Sequence, residues 1–240
     1  MKKCVSLSDI HLEHDQEQHP SYTLAKKFVK DFKPDLLVLN GDVVDFSYLS
    51  SYNESKAQLK EGKRLSKDID MLKKELDYFH KHAKKIIYLE GNHENRLMRR
   101  LEEVPEFEHI LELKNMLGSE EFILEREQPI RVLNSHLWIM HGKILNKYYC
   151  EATLRQYMVS MIVGHTHKIQ SFSMRTLDRE LACWGQGCLT DRNPYYLAGK
   201  MNQWQNGFVV AYIDEATKNF SVNNINMVDN SFFFEGKLWK

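Results

Sequence analysis

The sequence lacks paired cysteines, long apolar runs and any excess of charge of one sign. Its cysteines are Cys4, Cys150, Cys183 and Cys188. None forms a CxxC pair, and the last two are spaced too widely for a structural zinc site, so we expect reduced thiols in a cytoplasmic protein. No stretch approaches the roughly 18 apolar residues of a membrane span. Asp9 and His11 interrupt the N-terminal apolar stretch too early for a secretory signal, so we expect no membrane partner.

The charge balance argues against a protein that binds nucleic-acid duplexes. The formal net charge is zero, from 33 basic and 33 acidic residues, so the chain lacks the basic excess typical of duplex-binding proteins. Charged residues make up 28% of the chain and hydrophobic residues 42%, which is typical of a globular protein rather than a disordered one. The 240 residues show no internal repeat and no low-complexity linker. We therefore predict a single domain over residues 1–240.

The order of apolar runs and helical segments predicts the fold class. Strands and helices alternate at first, with strands predicted at 5–8, 36–39, 86–89, 132–133, 137–140 and 161–163, and helices at 22–31, 55–82, 96–103 and 154–158. After Lys168 the pattern changes to β-hairpins, with strands predicted at 169–176, 180–184, 208–213 and 220–225. This order predicts an α/β fold in which two mixed β-sheets pack as a sandwich flanked by helices, with a late hairpin region at 169–235.

The long helix predicted at 55–82 carries one apolar stripe. Its members, Leu65, Ile69, Leu72, Leu76 and Phe79, step by four, three, four and three positions. This spacing places them on one helix face, which we expect to pack on the sheet. The alternative is a subunit contact, so a homodimer is the assembly to be tested.

Polar side chains with affinity for metals follow five of the predicted strands. The segments are CVSLSDIH, LLVLNGDVVD, IIYLEGNHE, LWIMHG and MIVGHTH, and their candidate residues are Asp9, His11, Asp42, Asn92, His93, His141, His165 and His167. Because a strand aims the loop at its C-terminal end into one shared crevice of an open α/β sheet, these residues can meet there. Carboxylates, imidazoles and a carboxamide are the ligand chemistry of a two-metal hydrolytic site.

Each of these blocks alone is a weak signal. Asp and His are common in loops, a GD pair is ordinary turn chemistry, GNH suits a tight turn, and GHTH suits a strand edge. The five blocks together, in this order and each after a strand, favour the metal site over these separate explanations.

The ordered blocks DIH, GDVVD, GNHE, HG and GHTH, which span residues 9–167, resemble the calcineurin-like metallophosphoesterase superfamily. The resemblance is to its compact single-domain members from phages and bacteria. It implies a four-layer fold, a double β-sheet sandwich between helices, and metal-dependent hydrolysis of phosphoesters. It also implies that Asp9, His11 and His167 bind one metal ion. Asn92, His141 and His165 would bind the other, and Asp42 would bridge the two.

The resemblance also implies the identity of the metals and of the proton donor. Imidazole ligands on both sides suit two divalent ions, with Mn²⁺ the leading candidate and Fe, Zn, Ni or Co as alternatives, rather than Mg²⁺ alone. His93 resembles the non-ligand histidine of the family, which acts on the leaving oxygen. Asp45 matches the Asp that hydrogen-bonds this histidine. The alternative for Asp45 is the N-cap of a helix.

The residues outside the blocks give weaker signals about the substrate. Phosphoprotein phosphatases of the superfamily carry an Arg where this chain has Phe46, which disfavours that branch. Arg96 is a candidate for holding a substrate phosphate, and a solvated helix face is its alternative. In the aromatic segment 192–208, Tyr195, Lys200 and Trp204 are candidates for stacking a nucleobase and holding a phosphate; equally, they could cover the end of the second sheet.

These observations favour a phosphodiesterase that acts on a nucleotide or nucleic-acid substrate. The alternative is a DNA exonuclease or endonuclease acting on single-stranded or damaged DNA. An inactive scaffold is disfavoured, because every ligand position that the resemblance implies is filled.

Overall fold

Two five-stranded β-sheets form the centre of the fold in the computed structural model, which describes residues 1–107, 112–118, 128–194 and 197–240. The strands are β1 (Lys2–Leu7), β2 (Leu36–Asn40), β3 (Ile86–Leu89), β4 (Ile130–Arg131), β5 (Leu137–Met140), β6 (Ser160–Val163), β7 (Ile169–Arg175), β8 (Glu180–Gln186), β9 (Gly207–Ile213), β10 (Phe220–Asn226), β11 (Phe232–Phe234) and β12 (Lys237–Trp239). The α-helices are α1 (Pro20–Phe32), α2 (Ala57–Lys60), α3 (Leu65–His80), α4 (Asn95–Glu103), α5 (Leu113–Leu117) and α6 (Tyr149–Tyr157).

Both large sheets are mixed. The first has the order β10-β9-β1-β2-β3, in which β1, β2 and β3 are parallel and β9 and β10 run antiparallel to their neighbours. The second has the order β4-β5-β6-β8-β7, with β5, β6 and β8 parallel. Strands β11 and β12 form a separate two-stranded hairpin. The predicted fold class, two mixed sheets with flanking helices, is confirmed.

Strand periodicity divides the apolar side chains among three clusters. Side chains of β1 alternate, so Cys4 lies in the cluster between the sheets whereas Val5 and Leu7 lie on the helix side. The helix-side cluster of the first sheet contains buried residues of α1 and α3. A third cluster joins α6 to the outer face of the second sheet. The result is a helix–sheet–sheet–helix arrangement in which both sheets are covered on both faces.

The apolar stripe of α3 packs as expected. Ile69, Leu72, Leu76 and Phe79 are buried in the cluster on the helix side of the first sheet, and Leu65 packs against it. The predicted helix 55–82 was too long, because α3 begins only at Leu65. A separate short helix, α2, precedes it, and Gly62 between the two has a φ of +75°. A left-handed residue of this kind ends a helix, so the helical pattern does not continue across it.

Two further predicted elements had the wrong bounds, and one element was missed. The strand predicted at 132–133 is β4, two residues earlier, and Leu133 lies in the turn with a φ of 52°. The helix predicted at 154–158 begins earlier, at Tyr149. The hairpin of β11 and β12 was not predicted.

The four cysteines are free and buried. In the described ranges no helix combines the length and the apolarity that a membrane crossing requires.

Candidate metal centre

The loops after β1, β2, β3, β5 and β6 bring the predicted metal ligands together. One group of donors contains Asp9, His11, Asp42 and His167, whose ligand atoms all lie within 4.8 Å of one another. The Nε2 atoms of His11 and His167 are 3.1 Å apart, and His167 Nε2 is 3.1 Å from Asp9 Oδ1. Two ring nitrogens this close need a proton or a cation between them, since two lone pairs would repel.

A second group shares Asp42 with the first. Asp42, His141 and His165 present ligand atoms within 4.8 Å of one another. His141 Nε2 is 3.3 Å from Asp42 Oδ2 and 3.1 Å from Asn92 Oδ1. The predicted ligands therefore form two groups that meet at one carboxylate.

His141 has the orientation of a metal-binding histidine. Its Nδ1 lies 2.8 Å from the carbonyl oxygen of Asn40, which can only accept, so this hydrogen bond assigns the ring proton to Nδ1. Nε2 then faces the donor cluster, where loss of its proton would make its lone pair available to a cation. Such an outer contact fixes both tautomer and ring direction at metal sites.

Several of these residues occupy costly backbone conformations. Asp9, His11, Asp42, His165 and His167 all have a φ between 51° and 69°. A positive φ is uncommon for a residue other than glycine and costs of order 1 kcal/mol. Hydrogen bonds hold the backbone there, because Asp9 N donates to Gly41 O at 3.1 Å and His11 N donates to Asp42 O at 3.0 Å.

Two glycines permit the close approach of the loops. A Cβ atom on Gly91 would lie 2.2 Å from Asp42 Oδ1 and 2.4 Å from Asp42 N. A Cβ atom on Gly164 would lie 2.1 Å from Ser8 Oγ and 2.8 Å from Asp9 Oδ2. The glycines of GNHE and GHTH are therefore required by contact between loops, not by the turn alone.

The charges of the cluster stabilise one another. Burial opposes ionisation of Asp42, but the His141 and His93 imidazoles hold the pKa of this carboxyl well below its usual range. Burial likewise disfavours the imidazolium form of His141, yet the carboxylates of Asp42 and Asp9 raise the pKa of this ring to about 10. Among the described residues, Asp9 Oδ1 has no hydrogen-bond donor in good geometry. Divalent cations fit these atoms, since they would replace the protons that the rings and carboxylates share.

A third group of donors contains His11, Asp45 and His93. His93 directly follows the proposed ligand Asn92 in the loop after β3. His93 Nδ1 is 3.3 Å from Asp45 Oδ1, and His11 Nδ1 is 3.3 Å from Asp45 Oδ2. Burial acts against protonation of His93, but Asp42 and Asp45 outweigh it and raise the pKa of the ring. The structure thus brings together the predicted His93–Asp45 pair. The N-cap alternative for Asp45 is wrong, because Phe46 occupies the N-cap of the following 3-10 turn.

Arg96 contacts both members of the His93–Asp45 pair. Its Nη1 donates to Asp45 Oδ1 at 2.7 Å and to Asp45 O at 2.8 Å, and its Nη2 is 3.1 Å from His93 Nε2. The solvated-face alternative is wrong, since the side chain is only 18% exposed and is bound to Asp45. Nη2 faces the ring atom that points towards the donor cluster.

One buried carboxylate was not predicted to have a role. Glu94, the last residue of GNHE, is 1% exposed and accepts hydrogen bonds from five donors. The donors are the backbone N–H groups of Asp42, Val43, Val44 and Gly91 and the hydroxyl of Tyr88. Glu94 therefore ties the loop after β2 to the loop after β3. Its presence in the GNHE block was the available signal.

The predicted substrate-binding residues separate. The Trp204 ring lies 4.1 Å from the His167 ring, at an interplanar angle of 61°. Lys200 is exposed, and it does not line the surface groove that contains Trp204, Lys147 and Lys168. Tyr195 lies outside the described residues. Of these three candidates, the structure places Trp204 at the donor cluster.

Strand-end loops that gather carboxylates, imidazoles and a carboxamide in an α/β sandwich define a metal-dependent phosphoesterase. The family model described as calcineurin-like phosphoesterase matches residues 3–195, so the chain belongs to the calcineurin-like phosphoesterase family. This confirms the superfamily that the motif blocks resembled.

Two solved structures are similar to this chain at low sequence identity. A Vps29 single mutant from Entamoeba histolytica is 13% identical, with 98% of this chain and 95% of that chain covered and a TM-score of 0.47. Vps29 from Chaetomium thermophilum is 10% identical, with 93% and 96% covered and a TM-score of 0.45. No curated protein matches the sequence.

Proposed function

We propose that the protein hydrolyses phosphodiesters of nucleotides or nucleic acids at a site for two divalent cations. The observation that carries this proposal is the pair of donor groups that share Asp42. A shared carboxylate between two groups of imidazoles suits two cations that act together on one phosphoryl group. Mn²⁺ is the leading candidate for both positions, and Fe, Zn, Ni and Co are the alternatives.

The division of the ligands follows the two groups. Asp9, His11 and His167 would hold one cation. Asn92, His141 and His165 would hold the other, and Asp42 would contact both. When bound, the cations supply Lewis acidity and lower the pKa of water.

The His93–Asp45 pair suits proton transfer to the leaving oxygen. Asp45 Oδ1 lies 3.3 Å from Nδ1 of His93, and Nε2 of the ring lies on the side of the cluster, 3.7 Å from Asp42 Oδ2. Nε2 accepts from Arg96 Nη2 in this structure, so the ring could donate to a leaving oxygen only after it takes up a proton and Arg96 turns to the phosphoryl group. Arg96 would bind an oxygen of the phosphoryl group through Nη2, the arm not held by Asp45, and would thereby release Nε2.

Phe46 supports the preference for diesters over phosphoproteins. It stands where the phosphoprotein branch has an arginine, and its side chain is fully buried in the helix-side cluster. No cationic group reaches the substrate from this position. The cytoplasmic location and the homodimer stay predictions.

The test is a comparison of bis-p-nitrophenyl phosphate with p-nitrophenyl phosphate after removal of metals and addition of Mn²⁺. We expect Mn²⁺-dependent hydrolysis with a higher kcat/KM for the diester. A higher kcat/KM for the monoester would overturn the diester assignment. Asp42→Asn should lose at least 100-fold in kcat and lack bound metal by elemental analysis. Asp70→Asn, an exposed carboxylate on α3, is the matched control.

A further inference from the structure

A groove of about 520 Å³ opens beside the donor cluster. It is lined by Lys147, Tyr148, Lys168, Ile169, Gln170, Met201, Asn202, Gln203, Trp204 and Gln205. Trp204 belongs both to this lining and to the surroundings of the cluster, since its ring lies 4.1 Å from that of His167. A substrate whose phosphate lies at the cluster can therefore extend over Trp204 into the groove.

Three segments of the chain, 147–148, 168–170 and 201–205, form the groove, and side-chain hydrogen bonds connect them. Gln170 Nε2 donates to Lys147 O at 3.0 Å, and Gln170 Oε1 accepts from Cys150 N at 3.1 Å. The hydroxyl of Tyr149 donates to Lys168 O. These contacts hold the backbones that carry the two lysines against each other. The groove is thus formed before any ligand arrives, which lowers the entropic cost of binding.

The third segment is held in the same way. Gln205 N donates to His167 O at 2.8 Å, and Gln205 Oε1 accepts from Ile169 N at 3.1 Å. Trp204 N donates to Asn202 Oδ1 at 2.7 Å. The wall that contains Trp204 is therefore tied directly to the backbone of a predicted metal ligand.

The lining has the chemistry of a site for an anionic aromatic ligand. It contains two lysines, two aromatic rings and several amides, and none of its described lining residues is a carboxylate. Lys147 Nζ lies 5.2 Å from the centroid of the Tyr148 ring. Another cleft, about 750 Å³ in volume, is lined by the carboxylates of Asp15, Asp70 and Glu75 as well as by Lys67 and Lys74. The charges of the lining therefore favour a polyanion in the groove over the cleft.

We propose that this groove binds the nucleotide next to the scissile phosphate of a single-stranded nucleic acid. The inference rests on the proposed phosphodiesterase function and names its substrate class. The base stacks on Trp204 or Tyr148, and Lys147 and Lys168 take the neighbouring phosphate. Aromatic rings beside cationic side chains are the usual means of binding single strands without strong sequence preference. Two lysines beyond the reacting phosphate favour a chain over a lone cyclic nucleotide.

The first test measures binding of a fluorescent, hydrolysis-resistant phosphorothioate analogue of an eight-residue oligothymidylate by anisotropy in Mn²⁺, at a series of salt concentrations. For single strands, the logarithm of the affinity falls with the logarithm of salt by about 0.7 per neutralised phosphate. Lys147→Gln should weaken binding and reduce this slope by about 0.7. Tyr148→Ala should weaken binding about fivefold or more through loss of stacking. Matched controls are Lys67→Gln in the acidic cleft and Tyr52→Ala, a tyrosine that is 87% exposed.

The second test compares turnover in Mn²⁺. In Lys147→Gln, the ratio of kcat/KM on the oligonucleotide to that on bis-p-nitrophenyl phosphate should fall at least fivefold, whereas Lys67→Gln should keep the ratio. Unchanged affinity and salt slope in Lys147→Gln would overturn the inference. Hydrolysis of bis-p-nitrophenyl phosphate without oligonucleotide binding would also overturn it, and would leave the proposed function standing. Oligonucleotide binding through Lys147 without hydrolysis of any diester would support the groove and refute the proposed function.

Discussion

The carboxylate of Glu94 holds the backbone of Asp42, with Oε2 accepting from Asp42 N at 3.0 Å. The same oxygen accepts from Gly91 N at 2.8 Å, so a single group fixes two loops of the donor cluster. Asp42 Oδ1 in turn accepts from His93 N at 2.8 Å. The position of the shared carboxylate is therefore set in part by residues that are not among the proposed metal ligands.

Glu94→Gln tests this arrangement. The amide keeps the size of the side chain but turns an NH₂ group towards backbone N–H donors, which leaves buried groups unsatisfied. We expect a loss of about 3 kcal/mol in the free energy of unfolding, measured by urea denaturation, together with weaker metal binding. Glu102→Gln, an exposed residue of α4, is the control and should change stability by less than about 0.5 kcal/mol. A Glu94→Gln protein of normal stability and metal content would contradict the role.

Gly91→Ala should remove bound metal. The added Cβ would lie 2.2 Å from Asp42 Oδ1, so either the loop or the carboxylate must move. We expect a metal content below half that of the wild type and a destabilisation of about 2 kcal/mol. Gly236→Ala is the control, since it meets nothing within 4 Å although its φ is +73°. It should cost about 1 kcal/mol and leave the metal content unchanged.

Asp68→Asn tests a positioning residue on α3. The buried Asp68 accepts from the backbone N of His14 at 3.0 Å and contacts its Nδ1 at 2.8 Å. These contacts hold the loop that carries His11. We expect the affinity for Mn²⁺ to fall about 10-fold by titration calorimetry, as for other outer-shell contacts. A loss of stability with unchanged Mn²⁺ affinity would restrict Asp68 to a structural role, and Asp70→Asn is the control.

His93→Ala should separate chemistry from metal binding. The ring is not among the proposed ligands, so the variant should retain its metals by elemental analysis. Loss of a proton donor matters most when the leaving oxygen is basic, so hydrolysis of a phenyl ester should fall by about 10²-fold or more. Hydrolysis of the matching p-nitrophenyl ester should fall less. Equal losses on both esters would remove His93 from the role of acid.

Leu72→Ala tests the packing of the α3 stripe. Leu72 is fully buried in the helix-side cluster of the single chain. Its truncation should cost about 3 kcal/mol in urea denaturation, against little change for the exposed Lys73→Ala. A loss that depends on protein concentration would indicate that the stripe forms a subunit contact.

The sequence predicted those parts of the fold that depend on local pattern. The parallel strands β2, β3 and β6 are short runs buried on both faces, and β3 coincides with its predicted bounds. The start of α3 was mispredicted because the residues before Leu65 favour helices, whereas the chain turns at Gly62. The hairpin of β11 and β12 was missed because its strands have three residues each.

The donor cluster was predictable because the C-terminal ends of the parallel strands converge. A polar residue that directly follows such a strand is therefore a candidate site residue. The role of Glu94 was not predictable, because its main partners are backbone N–H groups, which almost every residue possesses. The groove was not predictable either. Lys147 and Lys168 stand far apart in sequence and come together only through the contacts of Gln170 and Tyr149.

The left-handed backbone of Asp9, His11, Asp42, His165 and His167 has a consequence for how the protein acquires its ions. Folding itself holds these residues in place, so the site is complete before an ion enters and does not reshape itself around one. Its mixture of nitrogen and oxygen donors suits several first-row divalent metals, so metal availability contributes to which of them is bound. The ion that occupies the site in a given cell then depends in part on supply, and the same polypeptide grown on different metals should yield enzymes of different composition.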